Sequence, residues 1–267
     1  MSRVQEETLE LISVRPEGAA RPTPLLFVHG AYAGAWCWAE HFLPWFAAHG
    51  YEAHALSLSG HGTSHGRRQL DTFSIGDYVR DVERIVARLP MPPVLIGHSM
   101  GGLVLQKYLE RRPAPGVVLM CSVPPQGLWA SALSLALRKP GLLLDLNRIL
   151  GGARPDPVSL KGALFHQPVD DERLARYYQH MQPESHRAIW DMTLFDLPHP
   201  SRMYKPPMLI LGAEHDLMIP PSQVELTGHA YQLPVEILSG MGHGVMLEQD
   251  WERPAARVLA WLQQQGY

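Results

Sequence analysis

The stretch Pro93-Val94-Leu95-Ile96-Gly97-His98-Ser99-Met100-Gly101-Gly102-Leu103-Val104-Leu105 decides the fold of this 267-residue chain. It begins with a short apolar run, which is typical of a buried strand and too short for a helix. The run ends abruptly at a glycine, and an apolar pattern with helical spacing begins directly after the next few residues. The stretch therefore predicts a strand, a tight turn with Ser99 at its apex, and a helix.

This context gives chemical meaning to the motif G-x-S-x-G, which is the pattern of a nucleophile elbow. A turn this tight strains the backbone of Ser99, so its neighbours two residues away on either side, Gly97 and Gly101, must be small. The hydroxyl group then projects above the sheet. The free N–H groups at the start of the new helix point at the same spot. We therefore predict that Ser99 is a nucleophile.

A second copy of the motif, Gly62-Thr63-Ser64-His65-Gly66, shows how weak the bare pattern is. This copy follows no apolar run and leads into charged residues, so it predicts a glycine-rich loop. The surrounding sequence thus favours Ser99 over Ser64 as the nucleophile.

Composition sets broad limits on function. Hydrophobic residues make up 46% of the chain and charged residues 18%, with a formal net charge of −3. These values are ordinary for a globular enzyme, and the sequence has no basic stripe, so we expect no nucleic-acid partner. Cys37 and Cys121 lie in apolar surroundings and are predicted to be packed free thiols.

The sequence predicts neither a signal peptide nor a membrane span. The N-terminus is polar and lacks an apolar core, which indicates a cytoplasmic protein. The uncharged segment Ala114–Leu137 is long enough to raise the question of a membrane helix. Pro124-Pro125-Gln126-Gly127 interrupts it, and we expect a buried strand, a loop and a second apolar element instead.

Short apolar runs alternate with amphipathic segments along most of the chain. This alternation predicts the α/β class, with a mostly parallel sheet and helices on both faces. The interval 125–205 breaks the alternation, which indicates a core formed by 1–124 and 206–267 with an inserted helical cap at 125–205. The cap is rich in leucine, from Leu128 to Leu137 and again from Leu142 to Leu150. Besides the strand before Ser99, the predicted strands are Leu9–Val14, Leu25–Val28, Tyr51–Leu58, Val117–Cys121, Met208–Leu211 and Val235–Leu238, and the predicted helices include Ala39–His49, Ile75–Leu89, Gln223–Tyr231 and Trp251–Gln265.

Several motifs together resemble those of the α/β-hydrolase superfamily, in the order and at the spacing of that family. The resemblance runs from about residue 23 to the C-terminus and implies an eight-stranded, mostly parallel sheet whose active site lies at the carboxyl ends of the strands. It also implies a variable cap at 125–205. The motifs, besides the elbow, are Phe27-Val28-His29-Gly30-Ala31, Gly60-His61-Gly62, Leu211-Gly212-Ala213-Glu214-His215-Asp216 and Gly242-His243.

A serine hydroxyl needs a base to act as a nucleophile near neutral pH. Fourteen histidines are present, and we favour His243 because it follows the last strand and glycines flank it on both sides. The chain order serine, acid, histidine is the one this fold uses. Asp216 is the predicted acid, since it ends the central strand that precedes His243. Glu214 and Asp196 are its competitors.

Acyl transfer also needs two hydrogen-bond donors aimed at the developing oxyanion. We expect these to be the backbone N–H groups of Met100, directly after the nucleophile, and of Ala31, in the loop after the second strand. Tyr32, Met100 and Trp129 are candidates for the wall of the substrate pocket. Three further histidines are expected to be structural: His29 braces its loop, His98 packs under the elbow, and His61 stabilises a turn.

The motifs of metal and cofactor sites do not occur in the sequence. There is no His-Glu-x-x-His, no paired Cys-x-x-Cys, no G-x-G-x-x-G and no phosphate-binding loop. We therefore expect an enzyme that works without a metal or cofactor.

Taken together, the residues predict a serine hydrolase that cleaves a small-molecule carboxylic ester of a modest apolar acyl group, through an acyl-enzyme on Ser99. A thioesterase, lactonase, carbon–carbon hydrolase or cofactor-free perhydrolase with the same triad stays open. So does a ligand receptor or silent binding module with this fold. Phe27–Trp36 also resembles plant-type esterases and hydroxynitrile lyases. The lyases carry a lysine directly after the catalytic histidine, where this chain has Gly244.

Overall fold

The computed structural model describes residues 8–129 and 157–267. Within these ranges the chain forms one seven-stranded sheet. Its strands are β1 (Leu11–Val14), β2 (Leu25–Val28), β3 (Ala53–Leu56), β4 (Val94–His98), β5 (Val117–Met120), β6 (Met208–Ala213) and β7 (Glu236–Leu238).

The α-helices of the described residues lie between these strands and after the last one. They are α1 (Trp36–Ala39), α2 (Phe42–Ala48), α3 (Ile75–Val86), α4 (Met100–Leu109), α5 (Pro157–Leu164), α6 (Asp171–His180), α7 (His186–Trp190), α8 (Pro221–Tyr231) and α9 (Glu252–Gln264). Arg67–Thr72 and Pro200–Arg202 form short 3-10 helices, and Asp191–Phe195 forms a π-helical turn directly after α7.

The strand order is β1-β3-β2-β4-β5-β6-β7. The edge strand β1 runs antiparallel to β3, and every other neighbouring pair is parallel. The predicted mostly parallel sheet is therefore confirmed. Its seven strands, counted over the described residues, are one fewer than the resemblance implied. The apolar runs in the sequence also numbered seven, so the eighth strand had no residue pattern of its own.

Two apolar layers cover the two faces of the sheet, because successive side chains of a strand point to opposite faces. On β2, Leu25 and Phe27 belong to one layer, with residues of α1, α2 and α9. Leu26 and Val28 belong to the other, with residues of α3 and α4. Phe27 is fully buried, and its ring centroid lies 5.0 Å from that of Trp38. Helices thus cover both faces, as predicted.

Most element boundaries differ from the predicted ones by one to three residues. The predicted helix Ala39–His49 instead begins at Phe42, and a separate short helix, α1, precedes it. Pro44 lies in the first turn of α2, where its missing N–H leaves no helical acceptor unpaired. Ser74 caps the start of α3, because its side chain and that of Asp77 form a capping box.

The segment between β5 and β6 contains α5, α6, α7 and the π-helical turn. The leucine-rich residues predicted between Leu133 and Leu150 lie outside the described residues. Val117–Met120 of the uncharged segment is the central strand β5, as predicted. No helix in the described part of the chain combines the length and the apolar character needed to cross a bilayer.

Candidate active site

Ser99 lies between β4 and α4 with φ of 52° and ψ of −118°, a strained conformation for a residue with a side chain. Glycine is required on both sides of it. A Cβ atom on Gly97 would lie 2.7 Å from the carbonyl oxygen of Gly101, and one on Gly101 would lie 2.4 Å from that of Val28. The backbone N–H of Ser99 donates to the Met120 carbonyl at 3.1 Å, which ties the turn to β5. The sharp turn therefore depends on close backbone contacts that only glycine permits.

Asp216 and His243 form a buried hydrogen-bonded pair, with 2.7 Å between Asp216 Oδ2 and His243 Nδ1. The other carboxylate oxygen, Oδ1, accepts from the backbone N–H groups of Met218 at 2.8 Å and Ile219 at 2.7 Å. A carboxylate can only accept a hydrogen bond, so in a neutral imidazole the nitrogen that faces it, Nδ1, carries the proton. His243 Nε2 is then free to accept a proton.

His98 joins the elbow to the loop that carries His243. Its Nε2 lies 2.9 Å from the His243 carbonyl oxygen, to which it donates, and the centroids of the two rings are 4.7 Å apart. Burial, together with the neighbouring His243, holds the pKa of His98 well below its ordinary value. His98 is therefore a neutral donor. Since it directly precedes Ser99, its bond connects the His243 backbone to the elbow.

A buried carboxylate, Glu248, braces the His243 loop from the other side. Its Oε1 accepts from the backbone N–H of Gly242 and of His166, each at 2.8 Å, and its Oε2 accepts from that of Gln167 at 3.0 Å. Three N–H donors compensate the burial of this charge. Glu248 thereby ties the loop to the segment between α5 and α6. No sequence pattern indicates this role, since a lone glutamate after an apolar run carries no local sign of its partners.

The loop after β2 contacts the elbow directly. A Cβ atom on Gly30 would lie 3.0 Å from Ser99 Cβ and 2.9 Å from His98 Nδ1. The backbone N–H groups of Ala31 and Met100 donate to no acceptor within the described residues. Two unpaired donors next to the predicted nucleophile suit the stabilisation of an oxyanion.

His29 holds the start of this loop in place. Its Nδ1 donates to the Gly30 carbonyl at 2.7 Å, and its Nε2 accepts from the backbone N–H of Leu58 at 3.1 Å. Burial, reinforced by the charge of His61, lowers the pKa of His29 to about 3. Both ring nitrogens are thus occupied, and the ring is neutral.

The alternative acid and nucleophile candidates have partners elsewhere. Glu214 is exposed and accepts from the Ser239 hydroxyl at 2.7 Å. Asp196 forms an ion pair of 2.8 Å with Lys107. Ser64 donates from its hydroxyl to the Ser57 carbonyl at 2.6 Å. Of the two other candidates for the pocket wall, Tyr32 has a positive φ of 64°. The side chain of Trp129 is 63% exposed.

A buried pair that the sequence did not indicate lies beneath the loop after β2. His61 Nε2 is 3.0 Å from Glu184 Oε2, and the Tyr78 hydroxyl donates to Glu184 Oε1 at 2.7 Å. Burial alone would raise the pKa of Glu184, but the charge of His61 and the hydrogen bonds outweigh it and hold this pKa below its usual range. Glu184 belongs to the segment between β5 and β6, so the contact spans more than a hundred residues.

One group of possible metal ligands occurs among the described residues. A ligand atom from each of His98, Cys121 and His243 lies within 4.8 Å of the other two. His98 and His243 already serve the hydrogen bonds described above. Burial, together with the nearby Asp216, raises the pKa of the Cys121 thiol well above its ordinary value. A neutral thiol is a poor metal ligand.

The sequence matches the model of the alpha/beta hydrolase family over residues 25–261. The chain belongs to this family. Among curated proteins, it is 34% identical over 140 residues to the probable esterase PIR7A of Oryza sativa subsp. indica, a match that covers 49% of this chain and 52% of that protein. It is also 34% identical over 95 residues to Methylesterase 2 of Arabidopsis thaliana, which covers 35% of this chain and 36% of the relative. The chain thus spans about half or less of the length of these relatives.

Solved structures superpose over nearly the whole chain. A putative lipase from Acinetobacter baumannii has a TM-score of 0.73 at 21% identity, covering 97% of this chain and 92% of that one. The monoacylglycerol lipase of Paleococcus ferrophilus has a TM-score of 0.69 at 21% identity, covering 97% and 99%. At such identities the likeness shows the fold alone.

Proposed function

We propose that this family member is a serine carboxylesterase with Ser99 as nucleophile, His243 as base and Asp216 as the residue that orients the base. One observation supports the proposal: His98, the residue directly before the strained Ser99, donates to the backbone carbonyl of His243, whose ring forms a buried bond of 2.7 Å with Asp216. The names of the curated relatives, an esterase and a methylesterase, favour ester cleavage.

The proposed reaction begins when Ser99 Oγ attacks the ester carbonyl carbon and gives its proton to His243 Nε2. The carbonyl oxygen becomes an oxyanion, which accepts from the N–H groups of Ala31 and Met100. When the tetrahedral intermediate collapses, the alcohol leaves with the proton from His243, and the acyl group stays on Ser99. Water then attacks the acyl-enzyme by the same steps and releases the acid.

Asp216 acts in this scheme through the imidazole. Its carboxylate holds the Nδ1–H tautomer and stabilises the imidazolium that forms when Ser99 gives up its proton. The two N–H groups that bind its other oxygen, from Met218 and Ile219, fix the direction of the carboxylate. The pair is buried, so its electrostatic interaction is screened less than one at the surface.

The proposed substrate is a small-molecule ester with a modest apolar acyl group. We propose that residues 125–205 form a cap over the site, because α5–α7 lie between β5 and β6 and contact the His243 loop and the loop after β2. The leucine-rich composition of this interval favours an apolar acyl chain over a charged one.

A panel of acyl esters, thioesters and lactones tests the proposal on wild type, Ser99→Ala and the matched control Ser64→Ala. Ser99→Ala should lower ester turnover by roughly 10⁴- to 10⁶-fold and abolish labelling by a fluorophosphonate. Ser64→Ala should keep both. Labelling that survives Ser99→Ala and disappears in Ser64→Ala would falsify the assignment, and faster turnover of thioesters or lactones would replace the proposed substrate class.

A further inference from the structure

We propose that Gln182, from the segment between β5 and β6, is a positioning residue for the oxyanion-binding loop after β2. The inference rests on the proposed function, since it concerns the N–H group of Ala31. Gln182 lies between α6 and α7, and its backbone and side chain bind two separate loops of the core. These contacts give the predicted cap a part in transition-state stabilisation.

The loop after β2 contains a turn that its own hydrogen bonds hold weakly. The backbone N–H of Ala33 approaches the Gly30 carbonyl at 3.4 Å, a long hydrogen bond. Tyr32 occupies the third position of this turn with φ of 64°, where glycine is the usual residue. A residue with a side chain is strained in that conformation. The turn therefore needs support from outside.

Gln182 supplies that support. Its backbone N–H donates to the Tyr32 carbonyl at 3.1 Å, and its side-chain Nε2 donates to the Ala33 carbonyl at 3.2 Å. Both acceptors belong to the strained end of the turn. Two donors from one residue fix the orientation of the peptides that follow Ala31.

The side-chain oxygen of Gln182 binds the neighbouring loop. Its Oε1 accepts from the backbone N–H of Gly62 at 3.2 Å and from Arg67 Nη2. One amide group thus connects the loop after β2 with the Gly60-His61-Gly62 loop. The two loops also approach each other directly, since a Cβ atom on Gly34 would lie 3.7 Å from the Gly62 nitrogen.

The position of Gln182 is itself fixed by the residues that follow it. Glu184 is buried against His61 and Tyr78, and the Ser185 hydroxyl donates to the Phe73 carbonyl at 2.6 Å. An anchor two residues away leaves the backbone of Gln182 little freedom. The amide is therefore held in place rather than free to follow a moving loop.

The test compares two inhibitors on wild type, Gln182→Met and the control Arg176→Met. One is a trifluoromethyl ketone: Ser99 Oγ adds to its carbonyl carbon, the serine proton passes to His243, and the ketone oxygen becomes an oxyanion. The other is the matching secondary alcohol, which binds without forming an oxyanion. Arg176 is a suitable control because it also bridges this segment to the core, through Glu40, without touching either loop.

Gln182→Met should raise the inhibition constant of the ketone about 10- to 100-fold, which is less than the loss of an entire oxyanion donor. The constant for the alcohol should stay within about twofold, and kcat should fall with little change in KM. Arg176→Met should leave the ratio of the two constants at its wild-type value. Gln182→Glu, which keeps the acceptor oxygens but lacks the donor to Ala33, provides a second variant should the methionine variant not fold.

Equal losses for both inhibitors would overturn the inference, because they would indicate a structural role in holding the site together. Unchanged inhibition constants would overturn it as well. Failure of the proposed function has a different signature: turnover and ketone inhibition would then survive Ser99→Ala. If Ser99→Ala abolishes both while Gln182→Met behaves as wild type, only the inference about Gln182 fails.

Discussion

His98 Nε2 donates a hydrogen bond of 2.9 Å to the backbone carbonyl oxygen of His243. The donor is the residue directly before Ser99, and the acceptor belongs to the proposed base, 145 positions further along the chain. Through this bond, the position of the elbow determines the position of the His243 loop. Because burial keeps His98 neutral, the bond does not depend on a charge that nearby groups would repel.

Replacing His98 with phenylalanine tests whether this bond positions the His243 loop. The ring volume is largely kept, while the His243 carbonyl loses its donor at a cost of about 1–3 kcal/mol of stability. We expect kcat to fall about 10-fold or more, since small displacements of a base are costly. His54→Phe is the matched control: His54 is also buried and loses a comparable 2.7 Å bond, to the Ser13 hydroxyl at the sheet edge. Equal kcat losses in both variants would contradict a specific role for His98.

Asp216→Asn should lower kcat by roughly 10⁴-fold and leave the fold intact, because an amide favours the wrong imidazole tautomer. Glu214→Gln should have a mild effect, since Glu214 is exposed and binds Ser239 and Gly240 rather than a histidine ring at hydrogen-bond distance. Steady-state kinetics and circular dichroism of the two variants provide the measurement. If the two variants exchange these outcomes, Glu214 is the orienting acid.

The local part of the site was predictable from sequence, whereas the long-range part was not. The Ser99 turn needs Gly97 and Gly101 as near neighbours, and a short window of sequence contains that whole requirement. The contacts of Gln182 and Glu184 with the core depend instead on how the segment between β5 and β6 returns over the sheet. A glutamine in a loop carries no local indication of its partner, so no pattern could reveal it.

In the fold, too, the elements that local sequence determines were predictable, and those that depend on long-range packing were not. Leu25–Val28 was predicted with its observed ends, because four apolar residues between a proline and the loop that leads to a glycine leave little choice. The described residues form seven strands, one fewer than the resemblance implied, and the expected number came from the resemblance rather than from an apolar run. The start of α2 was also misplaced, because the turn that separates it from α1 depends on packing against the sheet.

The pH dependence of stability should report on His29. Its pKa is about 3 in the folded protein and about 6.5 in an unfolded chain. Between these two pH values the unfolded state binds one more proton at His29 than the folded state does. The free energy of unfolding therefore has its full value with respect to His29 above about pH 6.5 and decreases as the pH falls toward 3. The expected slope is up to about 1.4 kcal/mol per pH unit. Urea unfolding from about pH 5 to 6.5 should show a smaller slope for His29→Gln than for wild type. Identical slopes would contradict a neutral, buried His29.

Trp129 allows a test of acyl-chain selection by the predicted cap. A pocket that buries each added methylene gains about 0.8 kcal/mol, so kcat/KM should rise about fourfold per methylene until the pocket is full. If Trp129 forms the pocket wall, Trp129→Ala should move the optimum to longer acyl chains. Its side chain is 63% exposed, so the change should alter stability by only about 0.5 kcal/mol, and a shifted optimum would not reflect unfolding.

Trp190→Ala, at a tryptophan 57% exposed on α7, is the control and should keep the wild-type profile. Because the two variants remove the same side chain from similarly exposed positions, an unchanged optimum in Trp129→Ala would show that this ring does not limit the acyl group.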